Sequence, residues 1–195
     1  MKVVNPATER VIKNIITDDQ QSVEEKFERA LKAQQIYARN TISERLAVVE
    51  RFSALLQKQE EKLASLLTSE MGKPLTQASS EIRGARSRIA YFLENSQRIL
   101  SDEVVFEHGD FREVIVHEPL GIIANISAWN YPYLVGVNVF VPALIAGNAV
   151  LYKPSEYTSL TGMELQKLWW QSGLEPGLFQ TVTGGGEVGE MLLEL

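Results

Sequence analysis

The stretch that decides the fold is Gly121–Lys153, GIIANISAWNYPYLVGVNVFVPALIAGNAVLYK. It opens on an apolar run over Gly121–Ile126, turns through SAWNY, becomes apolar again from Pro132, and closes on a second short run at Ala149–Tyr152. Pro132 suits the first turn of a helix, where a missing N–H leaves no acceptor unserved. Gly147 and Asn148 supply the stop. Strand, helix, strand is the prediction, and the pattern continues: a helix over Leu160–Ser172 closed by Gly173, a third strand over Phe179–Thr183, then GGGEVG and a last helical turn. Such alternation builds a parallel sheet with right-handed crossovers. The fold class is therefore α/β: a Rossmann-like parallel sheet of three βα units. Ligands of such sheets sit beyond the carboxyl ends of the strands, which selects the loops Ser127–Tyr131, Lys153–Glu156 and Gly184–Gly189.

Upstream of this unit the chain reads differently. After a short extended opening, Ser22 and Glu25 stand at capping-box spacing ahead of Val23, Phe27, Ala30 and Leu31 on one helical face. Thr41 and Glu44 form a second box, opening one long helix whose apolar stripe runs from Leu46 to Leu67; Gly72 ends it and Pro74 bars a restart. A third helix carries Ile82, Ala85, Ile89, Phe92 and Leu93 at intervals of three and four. Residues 103–118 read as a β-hairpin turning on Gly109 and Asp110. The expected organisation is an amino-terminal helical region over 1–102, a hairpin over 103–118 and a partial dinucleotide-binding unit over 119–195.

Composition narrows the function classes. The 195 residues are 45% hydrophobic, enough to fill a core, and carry a formal net charge of -6. No basic patch is present to displace counterions from nucleic acid. There is no cysteine, so disulfides, thiolate metal sites and a thiol nucleophile are all excluded within these residues. His108 and His117 lack a second ligand at metal spacing and read as surface histidines. The most apolar segment, Tyr133–Gly147, is too short to span a bilayer. A cytoplasmic setting, with neither nucleic acid nor membrane as partner, is expected.

Each loop has a plain reading beside a functional one. Gly184, Gly186 and Gly189 spell G-x-G-x-x-G after a strand and before a helix, but no acidic residue follows about twenty positions on, so a simple glycine-rich turn serves equally well. Lys153 and Glu156 put a cation and a carboxylate at one strand end, as a ribose diol would need or as a surface ion pair would give. Asn130 beside a helix start is ordinarily a cap or turn residue.

Together these segments resemble the aldehyde dehydrogenase superfamily along nearly the whole chain. NPATERVI at Asn5–Ile12, SEMGKPL at Ser69–Leu75, EPLGIIANISAWNYP at Glu118–Pro132, PALIAGNAVLYKPSE at Pro142–Glu156 and the glycine loop occur in that family's order and at about its spacing. The resemblance implies that the Asn130 amide points at a substrate carbonyl and, with a backbone N–H, holds the oxyanion formed when a cysteine attacks an aldehyde. It implies that Lys153 and Glu156 bind the adenine ribose of NAD, with Ile126, Ser127, Trp129, Pro154 and Ser155 alongside, and that Gly186 and Gly189 pack close to the adenine. Trp129 packing and the Pro132 helix start are expected to hold the Asn130 amide in place. Ala128 stands where many relatives have proline, which implies a slightly looser turn. Glu156 favours NAD over NADP, because a carboxylate about 4 Å from a 2'-phosphate repels it by 1–4 kcal/mol per charge pair.

The departures matter as much. The family's general-base glutamate and nucleophilic cysteine lie downstream of Leu195 in the matching relatives, so the chain is expected to be the amino-terminal, NAD(P)-binding portion of such an enzyme, inactive alone. The alternative is a non-catalytic nucleotide-binding or interaction module. Three parallel strands leave apolar edges, and the resemblance implies that the hairpin reaches a second copy, so a homo-oligomer is expected for the full-length form and low solubility or non-native association for these residues by themselves. The substrate is an aldehyde by resemblance, and AWNYPY is similar to relatives that oxidise semialdehydes.

Overall fold

A computed structural model describes all residues from Met1 to Leu195. A small antiparallel pair opens the chain, β1 (Lys2–Val4) with β2 (Val11–Asn14), followed by four helices: α1 (Gln20–Tyr37), α2 (Ile42–Lys58), α3 (Glu60–Met71) and α4 (Leu75–Ile99). The hairpin is β3 (Glu103–His108) with β4 (Phe111–Ile115), turning on Gly109 and Asp110 as expected. The parallel unit runs β5 (Ile122–Ile126), α5 (Pro132–Ile145), β6 (Ala149–Lys153), a 3-10 turn (Glu156–Thr158), α6 (Ser159–Gln171), a second 3-10 turn (Pro176–Leu178), β7 (Phe179–Thr181) and α7 (Gly186–Leu193). Its strand order is β5-β6-β7, all parallel. The α/β, Rossmann-like fold class is what the structure has.

Local details depart from the sequence reading in four places. The α1 cap is Asp19 in reciprocal bonds with Ser22, not Ser22 with Glu25: the Asp19 carboxylate accepts from the Ser22 N–H and the Ser22 hydroxyl from the Asp19 N–H, both at 2.9 Å. The long second helix is two, broken at Gln59, where neither glycine nor proline gives a signal. Gly72 does end α3 in the left-handed conformation, φ 79°, yet Pro74 does not stop a restart: it is the residue immediately before α4, where proline's fixed φ fits. The last strand stops at Thr181, and the final helix has two turns.

One hydrophobic cluster of 34 buried residues runs through α1 to α7 and the sheet. At its centre Phe52 of α2 stacks on Trp169 of α6, ring centroids 3.7 Å apart, while Phe140 of α5 meets both rings edge-on together with Tyr152 and Phe179 from β6 and β7. Edge-on contacts of this kind add to the area already buried. Helices α5 and α6 cover the sheet, with α2, α3 and α4 packed outside them; α1 lies against all three strands and against α7. The strand tips are thus fixed from below by a rigid aromatic wedge. No helix is long and apolar enough to cross a membrane, and no group of metal-binding side chains forms.

Candidate functional site at the strand tips

The parallel register sets Ile126 opposite Lys153, and the Ser127 N–H donates to the Lys153 carbonyl at 2.9 Å. The loops after β5 and β6 therefore leave the sheet at one end, and Asn130 and Glu156 both emerge there, exposed. Lys153 is different. Its side chain is only 4% exposed, forms no ion pair, and reaches just one acceptor, the Pro154 carbonyl at 3.3 Å. Burial lowers its pKa, partly offset by the charges of Glu156 and Glu187. Three ammonium hydrogens with a single long partner leave donors to spare in a low-dielectric place. The surface ion pair with Glu156 that the sequence allows is not formed.

The neighbours sort by what they touch. Gly189 lies one helical turn into α7, and a Cβ there would sit 3.6 Å from Cδ and Cε of Lys153 and 3.8 Å from Ile126 Cδ1, so these three residues are brought together. Gly186 is not tightly packed: a Cβ would meet nothing within 4 Å. Close packing falls instead on Gly184, where a Cβ would collide with the Val188 side chain. Pro154 is buried against Gly162, whose Cβ would lie 2.6 Å from Pro154 Cγ. Ser155 caps the 3-10 turn, its Oγ accepting from the Tyr157 N–H at 3.3 Å. The Ser127 hydroxyl is buried beside that of Tyr152. The Tyr152 hydroxyl, its pKa raised to about 12 mainly by burial, donates to the Pro132 carbonyl at 3.4 Å.

Trp129 precedes Asn130 on the loop after β5. It is half exposed and borders a cleft of about 580 Å³ with Val4, Pro6, Met71, Glu156 and Tyr157. What holds the loop comes from Lys73, in the connection between α3 and α4, and from Glu81 of α4. Lys73 donates to the Asn130 carbonyl at 2.6 Å, lies 3.9 Å from the centre of the Tyr131 ring and pairs with Glu81. The second oxygen of Glu81 accepts from the N–H groups of Tyr133 at 2.8 Å and Leu134 at 3.3 Å, at the start of α5, which has no cap of its own. Glu70 does the same for α6, accepting from the Leu160 and Thr161 N–H groups and the Thr161 hydroxyl. A carboxylate at a helix amino end satisfies orphan donors and the helix dipole together. Neither Glu81 nor Lys73 was singled out from the sequence. A signal existed, since Glu81 falls in the buried stripe of α4 with Ala78, Ile82, Ala85 and Ile89, and a carboxylate in an apolar stripe needs a partner.

The model of the aldehyde dehydrogenase family matches residues 1–195. The chain belongs to the aldehyde dehydrogenase family. Solved structures agree. A 3,6-anhydro-L-galactose dehydrogenase in complex with NAP is 31% identical with a TM-score of 0.92, over 100% of this chain and 41% of that one. An indole-3-acetaldehyde dehydrogenase of P. syringae, a mutant in complex with NAD+ and IAA, is 30% identical with a TM-score of 0.93, over 98% and 39%. A glyceraldehyde-3-phosphate dehydrogenase of Methanocaldococcus jannaschii complexed with NADP is 26% identical with a TM-score of 0.88, over 98% and 43%. The chain spans about two fifths of the length of these family members.

Proposed function

We propose that these residues carry the oxyanion donor and the ribose-binding part of an NAD(P)-dependent aldehyde dehydrogenase, which oxidises an aldehyde to a carboxylic acid. The observation that carries this is Lys153: a buried ammonium with donors to spare, at the strand tips, next to the exposed Glu156 carboxylate. A diol fits that pair, one hydroxyl accepting from the lysine and the other donating to the glutamate. Relatives solved with NAD+ and with NADP support either dinucleotide. When bound, the nicotinamide supplies a hydride acceptor. The chain's own residues bind and orient: Lys153 and Glu156 the ribose, the backbone of Ile126, Ser127, Trp129 and Ser155 the adjoining surface, with Pro154 and Gly189 shaping it. Gly186, exposed and uncrowded, permits backbone approach rather than tight packing.

Asn130 serves the reacting carbonyl. Its amide donors, on a loop fixed before charge develops, stabilise an oxyanion, and one such donor is worth about 3–4 kcal/mol. The nucleophile must come from outside these residues, which contain no cysteine, so alone they form no reduced nicotinamide from an aldehyde. That same absence favours, as a second reading, nucleotide binding without turnover. The 1–102, 103–118 and 119–195 regions act as scaffold, copy-to-copy contact and nucleotide unit. The substrate is an aldehyde, with a semialdehyde the class that AWNYPY suggests.

A fluorescence titration tests the binding. NAD is expected to quench the wild-type chain, with the signal lost in Trp129→Phe and the affinity lost in Lys153→Met. Replacing Glu156 by Gln should improve NADP relative to NAD by about tenfold, the worth of one relieved charge pair. Equal NAD affinity in wild type and Lys153→Met would count against the assignment.

A further inference from the structure

The three donors of the Lys73 ammonium are fully used. One serves the Glu81 carboxylate, one the Asn130 carbonyl at 2.6 Å, and the Tyr131 ring face lies 3.9 Å away for the third. Both side chains of the pair are buried, 7% exposed for Lys73 and 0% for Glu81. As a source of stability such a pair is a poor choice, because apolar residues of similar volume usually do as well. What it does here is directional. The Asn130 carbonyl belongs to the peptide plane joining residues 130 and 131, and a planar peptide held at its oxygen cannot rotate. Two residues on, Glu81 fixes the same chain through the Tyr133 and Leu134 N–H groups. The loop is therefore pinned on both sides of Pro132, which restrains the backbone that carries the Asn130 side chain.

We infer that Lys73 and Glu81 are positioning residues for Asn130: the ammonium grips the Asn130 carbonyl, and the carboxylate ties that ammonium to the start of α5. The inference rests on the reading of Asn130 as the oxyanion donor. It predicts that the aim of the Asn130 amide depends on a side chain 57 residues away in sequence that never touches that amide.

The test uses the side-chain N–H₂ resonances of Asn130 in the ¹⁵N-labelled full chain, identified by their loss in Asn130→Asp. In Lys73→Met/Glu81→Gln no charge is stranded, and the glutamine oxygen still accepts from Tyr133 and Leu134. Hydrogen exchange at those two amides should stay within about threefold of wild type. The ¹⁵N relaxation of the Asn130 pair should nevertheless report a more mobile amide, a readout that loss of a nearby charge does not move by itself. Lys73→Arg is the second variant: it keeps charge and burial, but its planar fork cannot serve carboxylate, carbonyl and ring at once, so it too should mobilise the Asn130 pair. Wild-type Asn130 relaxation in either folded variant overturns the inference. NAD titration of the wild-type sample separately decides the dinucleotide reading.

Discussion

Lys153, the residue proposed to hold a ribose, illustrates how one buried side chain can cost stability. Its pKa is lowered from the ordinary 10.5, chiefly by burial. Between the folded value and 10.5 the unfolded chain holds the extra proton, so stability rises with pH across that window. Below it the penalty of burying the charge is present in full. Lys153→Met is accordingly expected to unfold at a higher temperature than wild type at neutral pH, with the advantage shrinking as pH climbs towards 10.5, even as NAD affinity falls. A melting temperature lowered at pH 7 by this substitution would contradict the account. Removing Lys73 has the opposite consequence for stability, because its charge is matched by Glu81. Lys73→Ala leaves Glu81 buried and unpaired and should cost about 3–5 kcal/mol by denaturant unfolding. The sequence made Lys153 and Glu156 legible because KPSE sits at a strand end. Lys73 and Glu81 stayed hidden because their meaning lies in a contact between the start of the α4 region and a loop some fifty residues on, which no local spacing encodes.

The elements show the same division between local and distant causes. Helices α1 and α2 carry caps in their own sequence, Asp19 with Ser22 and Thr41 with Glu44. Helices α5 and α6 do not, and borrow carboxylates from Glu81 and Glu70. Their existence could be read from Pro132, Gly147 and Gly173, whereas the way their first turns are satisfied could not. Glu70→Ala strands three donors at the start of α6 and is expected to cost roughly 1–3 kcal/mol, with faster hydrogen exchange at Leu160 and Thr161. The glycine loop separates as well. Gly186→Ala should be tolerated, since its Cβ points into open space, while Gly184→Ala drives a methyl into Val188 and should lower the melting temperature. A G-x-G-x-x-G pattern shows where glycines stand; only the packing shows which of them is required.

At the scale of the molecule, a single core joins the helices to the sheet, while much apolar surface is left outside it. Val104, Val105, Phe106, Phe111, Ile115 and Val116 of the hairpin region are all exposed, whereas the edge strand β7 is buried throughout. Exposed apolar hairpins pair with other chains. Sedimentation of these residues alone should therefore show self-association, reduced by Phe106→Lys with Phe111→Lys; a monodisperse monomer at high concentration would contradict this. We propose that the tips of β5 and β6 form one dinucleotide-facing crevice shared by Asn130, Lys153 and Glu156. It is tested most directly by mapping amide shifts along the chain as NAD is added. The account predicts perturbations at Ile126, Ser127, Trp129, Lys153, Ser155, Glu156 and Gly189. A map centred elsewhere, such as the groove lined by Ile36, Tyr37 and Trp170, or no perturbation at saturating NAD, would contradict it.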